Sequence, residues 1–99
     1  MPAYIIVNIE VTDAEGFARY RDAVPPLIAK HGGRYLVRGG KLEVREGAPG
    51  WQRLVVLEFP SLAAAHAFYD DPDYAPLLAL RLATTNSQMV MVEGPTPPV

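Results

Sequence analysis

A few arginines, tyrosines and histidines, with one carboxylate and one amide set among aliphatic residues, are what this chain offers for chemistry. His31 ends a helical stretch just before Gly32-Gly33, where a helix dipole favours an imidazolium. It can serve there as a general base or ligand-orienting group, or simply bond the last free helix carbonyls. Arg38 closes an extended run and is followed by Gly39-Gly40. A guanidinium at a strand end can grip a carboxylate or enolate with two parallel hydrogen bonds; the plainer reading is a solvated arginine at a hairpin turn. Gly39 and Gly40 have the composition of a tight turn or an anion-binding nest, but no nucleotide-binding motif surrounds them. Glu58 and Asn8 each interrupt an apolar strand, so each needs a partner. Arg38 or an arginine of a second copy is the expected partner of Glu58. Tyr20, Tyr69 and Tyr74 fall on or near the inner faces of helices, with rings for a core and hydroxyls for its rim. Tyr20 joins His31 and Arg38 as a candidate acid/base group, and Tyr69 is expected at the rim of the same pocket.

Several classes of chemistry find no support. The chain has no cysteine, which removes disulfides, thiolate nucleophiles and thiolate metal sites. No Ser-His-Asp order, phosphate loop or usefully spaced carboxylate pair is present. His31 and His66 have no acidic neighbour at ligand spacing in the sequence, so no metal and no cofactor are expected. His66 is read as a surface residue. Formal net charge is -2, and the basic residues are scattered, so neither nucleic acid nor an anionic membrane is an expected partner. Met1-Pro2-Ala3-Tyr4 leads into an apolar run without a basic segment, and no run approaches the roughly 20 apolar residues of a membrane span. A cytoplasmic location is expected.

The 99 residues, 49% hydrophobic and 20% charged, suit one domain with its own core. Residues 1–94 are read as that domain and 95–99 as a Pro-rich tail leaving it. Tyr4 to Val11 alternates as a strand, with Ile5, Val7, Ile9 and Val11 opposite Tyr4, Ile6, Asn8 and Glu10. Thr12-Asp13-Ala14-Glu15 has capping-box spacing and predicts a helix with Thr12 as its cap. Phe17, Tyr20, Val24, Leu27 and Ile28 mark its buried stripe. Pro25-Pro26 must kink or restart this helix, and Gly32-Gly33 ends it. Arg34 to Arg38 is a second strand, whose alternation places Arg34, Leu36 and Arg38 on one face; Lys41 to Glu46 can extend it as a short edge. Gln52 to Phe59 is a third strand, with Trp51 before it positioned to cap a partner subunit or a pocket mouth. Ser61 caps an alanine-rich helix. Asp71-Pro72 reads as a cap and first turn of a further helix reaching Ala83. Asn86 to Glu93 is the fourth strand. The order is β-α-β-β-α-β, an α+β ferredoxin-like arrangement with a four-stranded antiparallel sheet.

Two helices cover only one face of such a sheet, yet both faces here are apolar. Val55, Leu57 and Phe59 lie opposite Leu54, Val56 and Glu58; Met89 and Met91 lie opposite Val90 and Val92. The uncovered face would exceed the roughly 300–600 Å² of the largest apolar patch on a typical monomer. A homodimer is therefore expected.

Three segments carry a family resemblance: GGRYLVRGG (Gly32 to Gly40), LEFPS (Leu57 to Ser61) and FYDDPDYAPL (Phe68 to Leu77). Over residues 3 to 94 the chain resembles a bacterial family known as domain of unknown function 1330, within the dimeric α/β-barrel superfamily. The resemblance implies a ferredoxin-like protomer whose sheets pack face to face in a dimer, and it implies no assigned activity. Relatives in the superfamily include cofactor-free monooxygenases, lactone isomerases and stress-response haem proteins, but fold-level likeness is a weak warrant for function.

The functional expectation is a pocket between helices and sheet that binds or transforms a small organic acid or aromatic without a cofactor. Arg38 would be its anion clamp, His31 and Tyr20 its acid/base groups, and Gly39, Gly40, Tyr69, Glu58 and Asn8 further contacts. The alternative is a non-catalytic dimeric binding or accessory module, in which the same residues tie helix to sheet and subunit to subunit.

Overall fold

β-Branched residues at alternate positions make Ala3–Val11 the first strand, β1, burying Ile5, Val7 and Ile9 on one face. A computed structural model describes residues 1–94 and gives, in chain order, α1 (Ala14–Ala23), α2 (Pro25–Lys30), β2 (Arg34–Arg38), β3 (Arg53–Phe59), α3 (Leu62–Tyr69), α4 (Ala75–Thr84) and β4 (Thr85–Glu93). The strands form one sheet in the order β2-β3-β1-β4, with every pairing antiparallel. This is the ferredoxin-like α+β fold that the element order predicts. The Pro-rich tail at 95–99 lies outside the described residues.

The proline pair restarts the helix as expected. α1 stops at Ala23, and α2 opens with Pro25, where no amide donor is required. α2 then ends in paired bonds, Gly32 N to Ala29 O (3.0 Å) and Gly33 N to Ile28 O (2.9 Å), around a left-handed Gly32.

Three local expectations are corrected. The α1 cap is Asp13, not Thr12: Asp13 Oδ1 accepts from Gly16 N at 3.2 Å, while Thr12 N is engaged by Thr84 O. Asp71 does not cap a helix beginning at Pro72. Its Oδ1 accepts from Asp73 N at 2.9 Å, closing a turn, and α4 starts only at Ala75. Lys41 to Glu46 forms no strand; β2 ends at Arg38 and the chain runs irregularly to Arg53.

The helices cover one sheet face. Phe17, Tyr20, Val24, Leu27 and Ile28 meet Ile5, Val7, Ile9, Leu57 and Phe59, and Ala65, Phe68 and Tyr74 complete the core. Tyr74, Phe59, Phe68 and Ile5 are its largest fully buried side chains, each worth about 1.5–3 kcal/mol of burial. The far face keeps its aliphatic character without cover: Val90 is 58% exposed, Trp51 51%, and Val92 and Leu36 46% each. The protomer is a two-layer slab of 43 × 37 × 17 Å, one of whose broad surfaces is this sheet face.

Candidate functional site

Regular alternation along β2 puts Arg38 with Arg34 and Leu36, on the face away from the helices. The structure puts it on the other. The register runs Arg34–Glu58, Tyr35–Leu57, then Val37–Val56 and Arg38–Val55, with a bulge between Tyr35 and Val37. Cross-strand partners share a face, and the extra residue resets the alternation. Arg38 thereby joins Tyr35 and Val55 on the helix side, with its guanidinium 4.2 Å from the Tyr35 ring centroid. Burial pushes the Tyr35 phenol up, while the Arg38 charge acts in the opposite direction.

Arg38 stands at the edge of a partly open chamber between α1, α2 and the sheet, with an interior volume of about 40 Å³. Val7, Ile9, Val55, Leu57, Phe68 and Met89 make its walls apolar. Its polar groups are of two kinds only. Arg21, Arg38 and Arg53 line it, and no aspartate or glutamate does. Arg21 is drawn toward Asp22 (3.5 Å), but neither Arg38 nor Arg53 has a carboxylate partner among the described residues. Arg53 Nε is buried without a hydrogen-bond partner. Its guanidinium packs on the backbone of Gly39, where an added Cβ would meet Arg53 Cζ and Nε at 2.7 Å. Gly39 has φ +72°, so both its missing side chain and its left-handed backbone serve this packing.

The second kind is phenolic: Tyr35, on which Arg38 stacks, and a hydrogen-bonded pair. Tyr20 and Tyr74 both line the chamber, and their hydroxyl oxygens are 2.9 Å apart. Tyr74 is wholly buried and holds an aromatic cluster together: Phe68 lies at 4.6 Å, Tyr69 at 5.7 Å and Tyr20 at 6.5 Å between ring centroids. Burial, and secondarily the Tyr74 phenol, pushes the Tyr20 hydroxyl far above the ordinary tyrosine range, so it stays protonated. The charge of Arg81 acts the other way on Tyr20. Arg81 itself is 3% exposed, donating to Ser87 Oγ through Nη1 and leaving Nε without a partner.

The remaining candidates do not converge here. His31 is not among the residues lining the chamber; its ring lies edge-on to Phe68, which does line it, at 6.3 Å. The acidic partner missing from its sequence neighbourhood is supplied from forty residues away. The Nε2–H of His31 donates to Asp71 Oδ2 at 2.8 Å, and Lys30 Nζ donates to the same oxygen at 2.9 Å. Lys30 first, then the Asp73 amide and His31, hold the Asp71 carboxyl well below the usual carboxylate range. Glu58 pairs with Arg34, not Arg38, at 2.8 Å on the far face. Asn8 Oδ1 accepts from Gln52 N at 2.8 Å, also on that face. Tyr69 packs on Tyr74 outside the lining, and Gly40 has nothing within 4 Å of an added Cβ. His66 is exposed, as read.

Arg53, Arg81 and Asp71 are not among the site residues the sequence suggests. Arg53 was recoverable, because it shares strand parity with Val55, Leu57 and Phe59. Arg81 follows Leu77 and Leu78 at helical spacing, a weaker signal. Nothing in the sequence joins Asp71 to His31. Among the described residues, no three His, Cys, Asp or Glu side chains are grouped to hold a metal, and no helix is long and apolar enough to cross a membrane.

A family model described as "Domain of unknown function (DUF1330)" matches residues 2–95. No curated protein matches the chain. Among solved structures, a protein of unknown function from Rhodopseudomonas palustris is similar with TM-score 0.78 and 21% identity, over 97% of this chain and 84% of that one. A dimeric ferredoxin-like protein of unknown function from Jannaschia sp. is similar with TM-score 0.67 and 15% identity, over 95% of this chain and 100% of that one. SnoaB, a cofactor-independent oxygenase from Streptomyces nogalater, is similar with TM-score 0.62 and 13% identity, over 97% and 95%. At such identities the likeness is one of fold.

Proposed function

The chain belongs to the family described as Domain of unknown function (DUF1330), and because that description assigns no activity, we propose one from the chamber: each protomer of a homodimer binds a small organic acid, aromatic or aliphatic, between its helices and sheet without a cofactor. The observation that carries this reading is the pair of guanidiniums, Arg38 and Arg53, facing an apolar chamber with no carboxylate among the described residues to neutralise them. A ligand carboxylate supplies that counter-charge, and the apolar walls take its hydrocarbon body. Arg38 stacked on Tyr35 has lost part of its side-chain freedom before a ligand arrives, which lowers the cost of closing the clamp.

The Tyr20–Tyr74 pair supplies hydrogen-bond donation and not proton abstraction, since burial keeps the Tyr20 phenol neutral. If the bound acid reacts, the pair suits stabilisation of negative charge developing on a ligand oxygen. His31, bonded to Asp71 and separated from the chamber by Phe68, serves better as a tie between α2 and the turn before α4. The homodimer reading rests on the uncovered aliphatic sheet face, and the dimeric ferredoxin-like protein of the same fold is in keeping with it. A thermal-shift screen of aliphatic and aromatic carboxylates against their primary amides tests the clamp. Stabilisation by the acids and not by the amides is expected; equal effects, or none from either, would remove the anion site.

A further inference from the structure

Each tyrosine hydroxyl carries one proton. In the Tyr20–Tyr74 pair one hydroxyl donates to the other, which consumes one proton and leaves a second. No further partner for either oxygen exists among the described residues, in a chain where the other buried hydroxyls, Thr84 and Thr85, reach helix carbonyls. Both phenols line the chamber, and Tyr74 is wholly buried. The chamber thus presents the free proton of this buried pair together with the guanidiniums of Arg38 and Arg53. A donor left unmatched once a ligand has displaced water from the chamber costs on the order of 1–3 kcal/mol. Whatever fills the chamber must accept that proton or displace a group that does, and an apolar end does neither.

Resting on the anion-clamp reading above, we propose that the ligand is an oxo acid: a small carboxylate whose far end carries a carbonyl oxygen. The carboxylate meets Arg38 and Arg53, and the carbonyl oxygen accepts the free proton of the Tyr20–Tyr74 pair. The two ends are told apart by charge. Guanidiniums reward the anionic end most, which leaves the phenol pair to the neutral acceptor; an apolar terminus gains nothing there. The buried Arg81, whose charge reaches Tyr20, strengthens the pair as a donor.

Matched ligand pairs test this: para-formylbenzoate against para-vinylbenzoate, and levulinate against its methylene isostere, titrated calorimetrically into the native chain and into the Tyr20→Phe/Tyr74→Phe double variant. Replacing both phenols removes both hydroxyls together, so no orphaned partner remains and the fold is retained. Each oxo acid is expected to bind the native chain about tenfold tighter than its isostere. In the double variant that preference disappears while binding of the isosteres is unchanged. Equal binding of both members to the native chain, or a preference that survives in the double variant, overturns the oxo-acid assignment and leaves the clamp standing. Failure of both members of both pairs to bind the native chain removes the clamp itself, and this inference with it.

Discussion

Arg38 and Tyr35 share the helix-facing side of the sheet because one extra residue in β2 lies between them. Without the bulge between Tyr35 and Val37, Arg38 would project with Arg34 from the opposite face, toward Glu58. With it, the guanidinium stacks on the Tyr35 ring at 4.2 Å and edges the chamber beside Arg53. One irregularity in a five-residue strand therefore separates a structural ion pair, Arg34–Glu58, from a guanidinium with no carboxylate partner among the described residues.

The Tyr20–Tyr74 pair predicts non-additive stability. Tyr74→Phe alone leaves the Tyr20 hydroxyl buried without its partner and should cost about 1–3 kcal/mol. The double Phe variant should lie within about 1 kcal/mol of the native chain, because both polar partners go together. Urea denaturation of the two single variants and the double variant measures the coupling. Additive losses would contradict a hydroxyl pair.

Gly39 and Gly40 should respond differently to the same change. Gly39→Ala forces a Cβ against the Arg53 guanidinium and places alanine at φ +72°, a backbone cost of about 1–2 kcal/mol. It should also weaken carboxylate binding by displacing Arg53. Gly40→Ala meets nothing and should stay within about 0.5 kcal/mol of the native chain, with binding unchanged. Parallel denaturation and binding titrations of both variants check this, and equal behaviour of the two would be inconsistent with Gly39 supporting Arg53.

Asp71 sets an acid dependence. Its carboxyl is held below the ordinary range in the folded chain, by Lys30 first, so the unfolded chain binds the proton more readily. The stabilisation is then fully present above about pH 4 and is lost as the solution becomes more acid. Asp71→Asn should destabilise the chain at neutral pH and flatten the fall in stability below about pH 4. Thermal denaturation of both proteins between about pH 2 and pH 7 resolves the two slopes; superimposable slopes would deny Asp71 this role.

The uncovered sheet face predicts self-association through Val90 and its neighbours. Val90→Glu places a charge on a residue already 58% exposed, so the protomer should fold but shift toward monomer. Light scattering at micromolar concentration should give a dimer for the native chain and a smaller particle for the variant. A native monomer would remove the homodimer.

The fold was legible because each signal was local: strand alternation in β1, β3 and β4, the Pro25-Pro26 restart and the Gly32-Gly33 stop. The candidate site was legible only in part. Tyr20 and Arg38 do line the chamber, but the face of Arg38 depended on a bulge, and one inserted residue inverts an alternation without changing the composition that predicts a strand. The partner of His31 is not visible in the sequence, because Asp71 lies across the fold and resembles a helix cap. Asn8 and Glu58 look functional in one dimension, as polar interruptions of apolar strands, yet each is matched on the far face by Gln52 N and Arg34.

The measurement closest to the central claim is a calorimetric titration of benzoate into the native chain, Arg38→Met and Arg53→Met, at low and at moderate salt. Saturable binding of one benzoate per protomer is expected, weakened about tenfold or more by either substitution, with the loss at higher salt diminished in the variants. Binding indifferent to both substitutions, or no saturable binding by the native chain, would contradict the arginine-lined chamber as an organic-acid site.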